Sequence, residues 1–436
     1  MFGGARVVTA NRSQTSYELL DLEEFLPPDH RARAVVAFVA RLDLSPFYAV
    51  INARDGEAGR PALDPAILLG LWLLATTDGI GSARLLERLT ENHMAYRWLR
   101  GGMPLNPHTL SDFRTVHAGR LDRVLTESLA AVLAEGLVKP VEIIIDGTKI
   151  KANAGRNSFK TAKGLADAEV LAAAQVARLK AELEDDGGKS TKRQKAARQR
   201  AADEAAAKVA AAKDALDKLL AEKAKRAERH KSEEAKKAEP KASTTDPDAR
   251  IMRFSDGSSG PGYNVQVAVT SGDGFIVGIV PTDRRNDRGL AHPMLEEVER
   301  RLGLTPDRIL VDTGYASAED IIALTNRPRP VTVYASIPPE KAEVKEATKR
   351  RRSAKIAREP QALKEWRARM ASLSGQVIMK RRKRIELVNA HLKFDGLGRP
   401  ALRGLVKLTA TACLNAIAHN LRTALRIRAI QAAEAA

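Results

Sequence analysis

The sequence predicts an α/β fold with a helical N-terminal domain and a long helical insertion. Three observations carry that prediction. Residues 20–140 place apolar residues at helical spacing between glycine turns. At Val141 the pattern changes to β-branched runs and apolar–polar alternation, interleaved with amphipathic segments. After the first such run comes a long stretch rich in alanine and charge, with no aromatic residue from 161 to 240. Strands alternating with helices of ordinary length describe a mixed sheet with helices packed on it.

The elements follow in chain order. PAILLGLWLLA (65–75) predicts a buried helix with Pro65 near its start and a break at Asp78-Gly79. Residues 82–99 predict a second helix, with Ser82 as N-cap and Leu85, Leu86 and Leu89 as its apolar face. After Gly101-Gly102 a helix restarts over 106–136. Arg84, Arg88, Arg97, Arg100 and Arg114 fall on polar faces. That pattern fits a helix-turn-helix-like DNA reader and a plain bundle with a solvated face equally well. VEIIIDGTKI predicts a buried strand closing at Asp146-Gly147, and residues 262–270 and 275–282 an antiparallel hairpin. A helix (290–303), a strand (308–315), a helix (317–326) and a strand (330–336) come next.

Within the insertion, Val176, Leu179 and Leu183 keep helical spacing, as do Val209, Ala212, Leu216 and Leu219, on either side of a turn at 185–188. An antiparallel coiled-coil-like hairpin fits, and the thin apolar seam leaves partial disorder as the alternative. Residues 231–248 read as a polar linker, and 345–360 as a basic segment leading into the C-terminal helices. The last helix (402–427) is apolar on one face, and its Cys413 and His419 are assigned to the core. The domains are therefore expected at 1–140, 141–160 with 250–395, 161–249, and 396–436.

The 436 residues carry a net charge of +18, and the sequence pI is about 10.0. Such a balance calls for a polyanionic partner, nucleic acid first and a membrane surface second. The longest apolar run, 67–75, falls far short of the roughly 20 residues that span a bilayer. The first 25 residues hold no continuous apolar run of a secretory signal. With one cysteine the chain has no internal disulfide and no thiolate zinc site. A soluble cytoplasmic protein is expected.

Three acids stand out by position. Asp146 and Asp312 follow apolar strand segments, and Glu386 lies on a helix within a basic run. Each aspartate alone is commonly a turn residue. Together in so basic a chain they suit Mg²⁺ or Mn²⁺, which take carboxylate ligands and complete their shells with water and substrate phosphate. On a continuous helix Met379, Arg382, Glu386 and Lys393 would share one stripe beside the apolar Ile385, Val388 and Leu392. A carboxylate bracketed by cations suits a site for metal and phosphate together. It suits an ordinary Arg382–Glu386 ion pair equally well.

The sequence resembles bacterial insertion-sequence transposases of the DDE class, over nearly the whole chain. GRPALDPAILLGLWLLATTDGIGSARLLERL and MAYRWLRGGMPLNPHTLSDFR resemble that family's helical N-terminal domain. DGTKIKANAG resembles the block of its first catalytic aspartate, on Asp146, and VDTGYAS that of the second, on Asp312. DPDARIM and GYNVQVAV resemble its middle blocks. The third block reads Tyr, two residues, Arg, three residues, Glu, six residues, Lys. Arg382, Glu386 and Lys393 match it, with Met379 at the tyrosine position.

The resemblance implies a ribonuclease H-like catalytic domain in which Asp146, Asp312 and Glu386 hold two Mg²⁺ ions, Mn²⁺ being an alternative. It also implies cleavage at the ends of the element and attack of the freed 3′-OH on target DNA. Arg382 and Lys393 would grip backbone phosphate, with Lys149 and Lys151 assisting. The N-terminal domain, with Arg84 and Arg114, would read the terminal inverted repeats. Double-stranded DNA is the expected partner, a homo-oligomer on DNA the expected assembly, and the nucleoid the expected location. The alternatives are an inactive or repurposed DNA-binding protein, and a metal-dependent nuclease without strand transfer.

Overall fold

The change of pattern at Val141 marks the start of the central sheet. In the computed structural model, which describes residues 21–53, 61–184, 191–229, 239–315, 317–337 and 358–435, the first strand is β1 (Glu142–Lys151). Of the sequence features above, the turn at 185–188 and most of the basic segment 345–360 lie outside the described residues.

β1 is sandwiched between β5 (Ser259–Thr270), antiparallel to it, and β7 (Arg308–Val311), parallel to it. β8 (Thr332–Ala335) extends the parallel side. On the antiparallel side β4 (Arg250–Arg253) and β6 (Ile276–Thr282) both pair with β5, so the main path runs β4-β5-β1-β7-β8. Ile143, Ile144 and Ile145 of β1 and Ile309, Leu310 and Val311 of β7 are fully buried. That is why both strands read as unbroken apolar runs: strands in a parallel arrangement are covered on both faces.

Two strand ends differ from expectation. β1 does not close at Asp146 but continues five residues further, held by β5 as far as the Lys151–Gly262 pair. β7 is shorter than the 308–315 segment and ends at Val311, opposite Ile145. The DG dipeptide thus lies within a strand because the long partner β5 goes on supplying hydrogen-bond partners past it.

The N-terminal region folds as α1 (Arg31–Val39), α2 (Ser45–Tyr48), α3 (Pro65–Thr77), α4 (Ala83–Asn92), α5 (Met94–Arg100), α6 (Pro107–Val116) and α7 (Ala118–Ala134). Ser82 caps α4 as expected, accepting from the Leu85 amide. The single helix expected over 82–99 is two, because His93 is extended and its imidazole caps a new helix at Ala95 N (3.3 Å). Of the expected apolar face, Leu86 is buried and Leu85 is exposed.

In the insertion, α8 (Ala162–Glu184) and α9 (Lys192–Arg229) touch where Lys213 bonds Glu169 at 2.6 Å. Leu165, Ala212, Ala215 and Leu216 form a small cluster there with Ala242. β2 (Phe159–Lys160) and β3 (Ala242–Ser243) pair across the base of the insertion. The stretch read as a linker is therefore structured at its end. Asp246 is buried and accepts from the Tyr263 hydroxyl (2.6 Å) and the Gly404 amide (3.2 Å).

Among the described residues there follow α10 (Ala291–Leu302), α11 (Ala318–Thr325), α12 (Gln361–Ala371), α13 (Leu373–Lys380), α14 (Lys383–Leu392) and α15 (Leu405–Ala435). α15 packs against α3, α6, α7 and β6. Its Asn420 bonds both the N–H and the C=O of Ile276 at 2.8 Å. N-terminal helices, sheet and last helix therefore share one continuous core. Among the described residues no helix is long and apolar enough to cross a membrane.

Candidate active site

The site forms where β7 stops and β1 continues. Asp146 is the first β1 residue beyond the β7 pairing, and Asp312 the first residue beyond β7. Continued register would set the two side by side. Asp146 is largely buried and accepts from its neighbour's amide, Gly147 N, at 3.0 Å. Its other oxygen faces Asn389 Nδ2 at 3.5 Å and the Arg382 guanidinium at 3.6 Å. Burial pushes its carboxyl up to about 6, against the opposing pull of Arg382 and the Gly147 amide; the nearby Asp287 and Asp312 add to the rise. A carboxylate this poorly compensated gains from a cation brought close.

Glu386 stands on α14 with its side chain 63% exposed. Arg382 lies between it and Asp146, 3.6 Å from each. The Arg382–Glu386 ion pair expected on plain helical grounds is therefore present, and the same guanidinium also reaches the buried aspartate. The helix tightens at Arg381-Arg382, where both residues keep a right-handed helical backbone and the hydrogen bonds run to the third residue back; past Lys393 it widens and leaves the helical path at Asp395-Gly396. Met379 belongs to α13, where it packs partly buried on the core. Ile385, Val388 and Leu392 are buried as expected.

Sequence reasoning missed Asn389, which is buried and one turn after Glu386 on α14; its Oδ1 has no partner. A polar residue beside that apolar stripe was the available signal. It also missed a network on the other face of β1. Side chains alternate along a strand, so Gly147 faces away from Asp146, toward its β5 pair Gln266 and the neighbouring Asn264. Asp287, in the loop after β6, accepts at Oδ1 from Asn264 Nδ2 (2.7 Å) and Gln266 Nε2 (2.9 Å). The buried Tyr315 hydroxyl donates to Gln266 Oε1. Burial, followed by the charges of Asp287, Asp146 and Asp312, raises the Tyr315 phenol far above its usual range and keeps it protonated.

The basic residues sort differently from expectation. Lys149 and Lys151 alternate onto the Gly147 face, away from the Asp146 side chain. Lys151 pairs with Asp256 at 3.2 Å and lies over the Phe254 ring. Arg84 is exposed on α4. Arg114 is not available to DNA: it is 4% exposed, donates to Gly81 O at 2.8 Å and stacks on Trp72 at 4.1 Å, so it cements the helical core. Lys393 is half-buried at the C-terminal end of α14.

Among the described residues no three acidic, histidine or cysteine side chains converge closely enough to enclose an ion. Mg²⁺ does not need such a cage, since it is commonly held by one or two carboxylates with water and substrate phosphates. Asp146 is one such carboxylate, with Asp312 one residue past the end of the adjoining β7, and Asn389, whose Nδ2 faces Asp146, has an unpartnered Oδ1.

The site thus offers a largely buried, undercompensated acid at a strand junction, in a chain of net charge +18. Residues 226–421 match the family model of the transposase DDE domain, and residues 20–116 that of a transposase domain (DUF772). The chain belongs to the DDE-class transposases of insertion sequences. The first match contains Asp312 and Glu386, whereas Asp146 lies between the two matched segments. Neither the curated proteins nor the solved structures compared with the chain gave a match.

Proposed function

We propose that this transposase cleaves the ends of its own element and joins the freed 3′-OH to target DNA at the notch between β1 and β7. The observation that carries the reading is the placement of Asp146 on β1 and of Asp312 one residue past the adjacent β7, where the β1–β7 pairing ends, with Arg382 linking Asp146 to Glu386. The strand order, three antiparallel strands around β5 and β1 followed by parallel β7 and β8, supports a ribonuclease H-like catalytic domain.

Asp146 and Asp312 would hold Mg²⁺ or Mn²⁺, with Glu386 completing the set once phosphate draws Arg382 away from it. Two such ions would activate the attacking oxygen and stabilise the leaving one. Arg382 and Lys393 hold the backbone phosphate on either side of Glu386, which positions the strand without reading its sequence. Arg84 and its neighbours on the N-terminal helices contact the ends. The α8–α9 pair acts as a coiled-coil arm that pairs subunits when two ends are brought together.

The test uses full-length protein, Mg²⁺ and DNA carrying the inverted repeats that flank the gene. Wild-type protein cuts at the repeat boundary, and Asp146→Asn, Asp312→Asn and Glu386→Gln each abolish cutting while binding persists. Full activity in Glu386→Gln would remove that residue from the centre. Binding without cutting by wild-type protein would leave a DNA-binding protein.

A further inference from the structure

Glu142 has no place in the proposed centre, yet it is 4% exposed and stands four residues before Asp146 on β1. Side chains alternate along a strand, and the β1–β5 register is unbroken from Ile143 to Lys151. Glu142, Ile144 and Asp146 therefore share one face. Arg308 of β7 lies beside Glu142 in register, its guanidinium 2.9 Å from the carboxylate. A second cation comes from another element: Arg381 Nη1 donates to both Glu142 oxygens, at 3.3 and 3.4 Å. Arg381 immediately precedes Arg382, which reaches Asp146 and Glu386 at 3.6 Å each. Two successive arginines at the α13–α14 junction thus meet two acids of one β1 face. Four strand residues set those acids about 13 Å apart, so the junction straddles β1. The buried stripe Ile385, Val388 and Leu392 seats α14 on the core, but apolar contact is non-directional and does not fix where along β1 the helix lies. Arg382 and Asn389 both meet β1 at Asp146. The Arg381–Glu142 pair supplies a second point, and two points fix a direction.

We propose that Glu142 and Arg381 are positioning residues for the third acid. Their pair holds the α13–α14 junction on β1, so that Glu386 keeps its position relative to Asp146 when phosphate or a cation draws Arg382 and Asn389 off Asp146. This rests on the reading of Asp146, Asp312 and Glu386 as the cutting centre. In a run of five cations, a half-exposed arginine would ordinarily be a phosphate contact. Arg381 is committed elsewhere: its partner is a buried carboxylate, and withdrawing it would leave Glu142 with Arg308 alone among the described residues.

The experiment uses the full-length protein and DNA carrying the flanking inverted repeats, with Arg381→Ala, Arg381→Lys, Glu142→Gln, the double variant Arg381→Ala/Glu142→Gln, and Asp146→Asn. Arg381→Ala leaves Glu142 its Arg308 partner, and thermal unfolding is followed alongside. Positioning predicts single-turnover cutting slowed about 10- to 100-fold in Arg381→Ala, with affinity for the DNA and its salt slope unchanged. Arg381→Lys should regain most of the rate, and the double variant should lose no more than Glu142→Gln does alone. A second readout needs neither metal nor DNA. Nitroxide labels on Leu387→Cys of α14 and Val280→Cys of β6, both exposed positions, report the helix-to-sheet distance, and the native Cys413 is buried. The interspin distribution should be narrow with Arg381 in place and broaden in Arg381→Ala. Wild-type cutting with an unchanged distribution in Arg381→Ala would overturn the proposal. So would weaker binding with a salt slope reduced by about one, the mark of a phosphate contact. In either case loss of cutting in Asp146→Asn would leave the active-site reading standing, whereas wild-type cutting in Asp146→Asn would overturn that reading and the proposal with it.

Discussion

Gly147→Ala should destabilise the fold although the backbone there accepts a side chain. Gly147 is not among the glycines of positive φ, so alanine meets no conformational strain. In an ordinary strand interior the exchange would stabilise by about 0.5–1 kcal/mol. Here the new Cβ would fall 2.2 Å from Asp287 Oδ1 and 2.7 Å from Gln266 Nε2, closer than atoms can approach. Asp287 must retreat, and its two amide hydrogen bonds, each worth about 1.5–3 kcal/mol for a charged acceptor, are strained or lost. The opposing terms leave a net loss of about 2–5 kcal/mol. Chemical denaturation of the full chain reads it directly. The same substitution in an Asp287→Ser background should cost clearly less, because the overlapping carboxylate is gone. A Gly147→Ala protein as stable as wild type, or an equal loss in both backgrounds, would refute the claim that Asp287 is clamped against β1.

Three further outcomes follow from the same packing. His419 is buried, with Nε2 bonded to Gly274 O, and burial lowers it to about 4; the unfolded chain takes up the proton from about pH 6.5 downward. The His419 contribution is therefore level above that pH and falls by up to about 3 kcal/mol between pH 6.5 and 4, while Asp146, raised to about 6, works in the opposite direction over the same window. The difference in stability between wild type and His419→Gln across a denaturation-versus-pH series should isolate the His419 part. Arg114→Met should lower stability by about 1–3 kcal/mol and leave the salt dependence of DNA binding unchanged, whereas Arg84→Ala should reduce the salt slope by about one. Asn420→Leu leaves the buried N–H and C=O of Ile276 without partners and should cost about 3–5 kcal/mol, read by the denaturation midpoint.

Element types were legible where a pattern repeats. The isoleucine run of β1, the alternation of β5 and the capping serine before α4 each gave the right element, because an unbroken apolar run, a polarity change at every second residue, or a helix start leaves a distinct local trace, although both faces of β5 prove to be buried. Their ends were less legible. β1 outruns its DG dipeptide only because β5 pairs with it, and a partner more than a hundred residues away leaves no local mark. The helix around Glu386 does run on in backbone direction, and its tightening at Arg381-Arg382 leaves no mark among residues that favour helix. In the site, Asp146, Asp312 and Glu386 stood out by position beside apolar runs. Asp287 did not, since NDRG reads as a turn and its surroundings come from two other places in the chain, Asn264 and Gln266 of β5 and Gly147 of β1. Arg114 was misread because a helical pattern does not tell a solvated arginine from one stacked on a buried tryptophan.

The central claim is strand transfer at the β1–β7 notch. It is tested most directly by incubating end DNA with a labelled 3′ strand, a supercoiled target plasmid, Mg²⁺ and the full-length protein, then resolving the products under denaturing conditions. The account predicts label covalently joined to the plasmid with wild-type protein and none with Asp146→Asn or Asp312→Asn. Cut ends that never join, or joining that survives in Asp146→Asn, would contradict it.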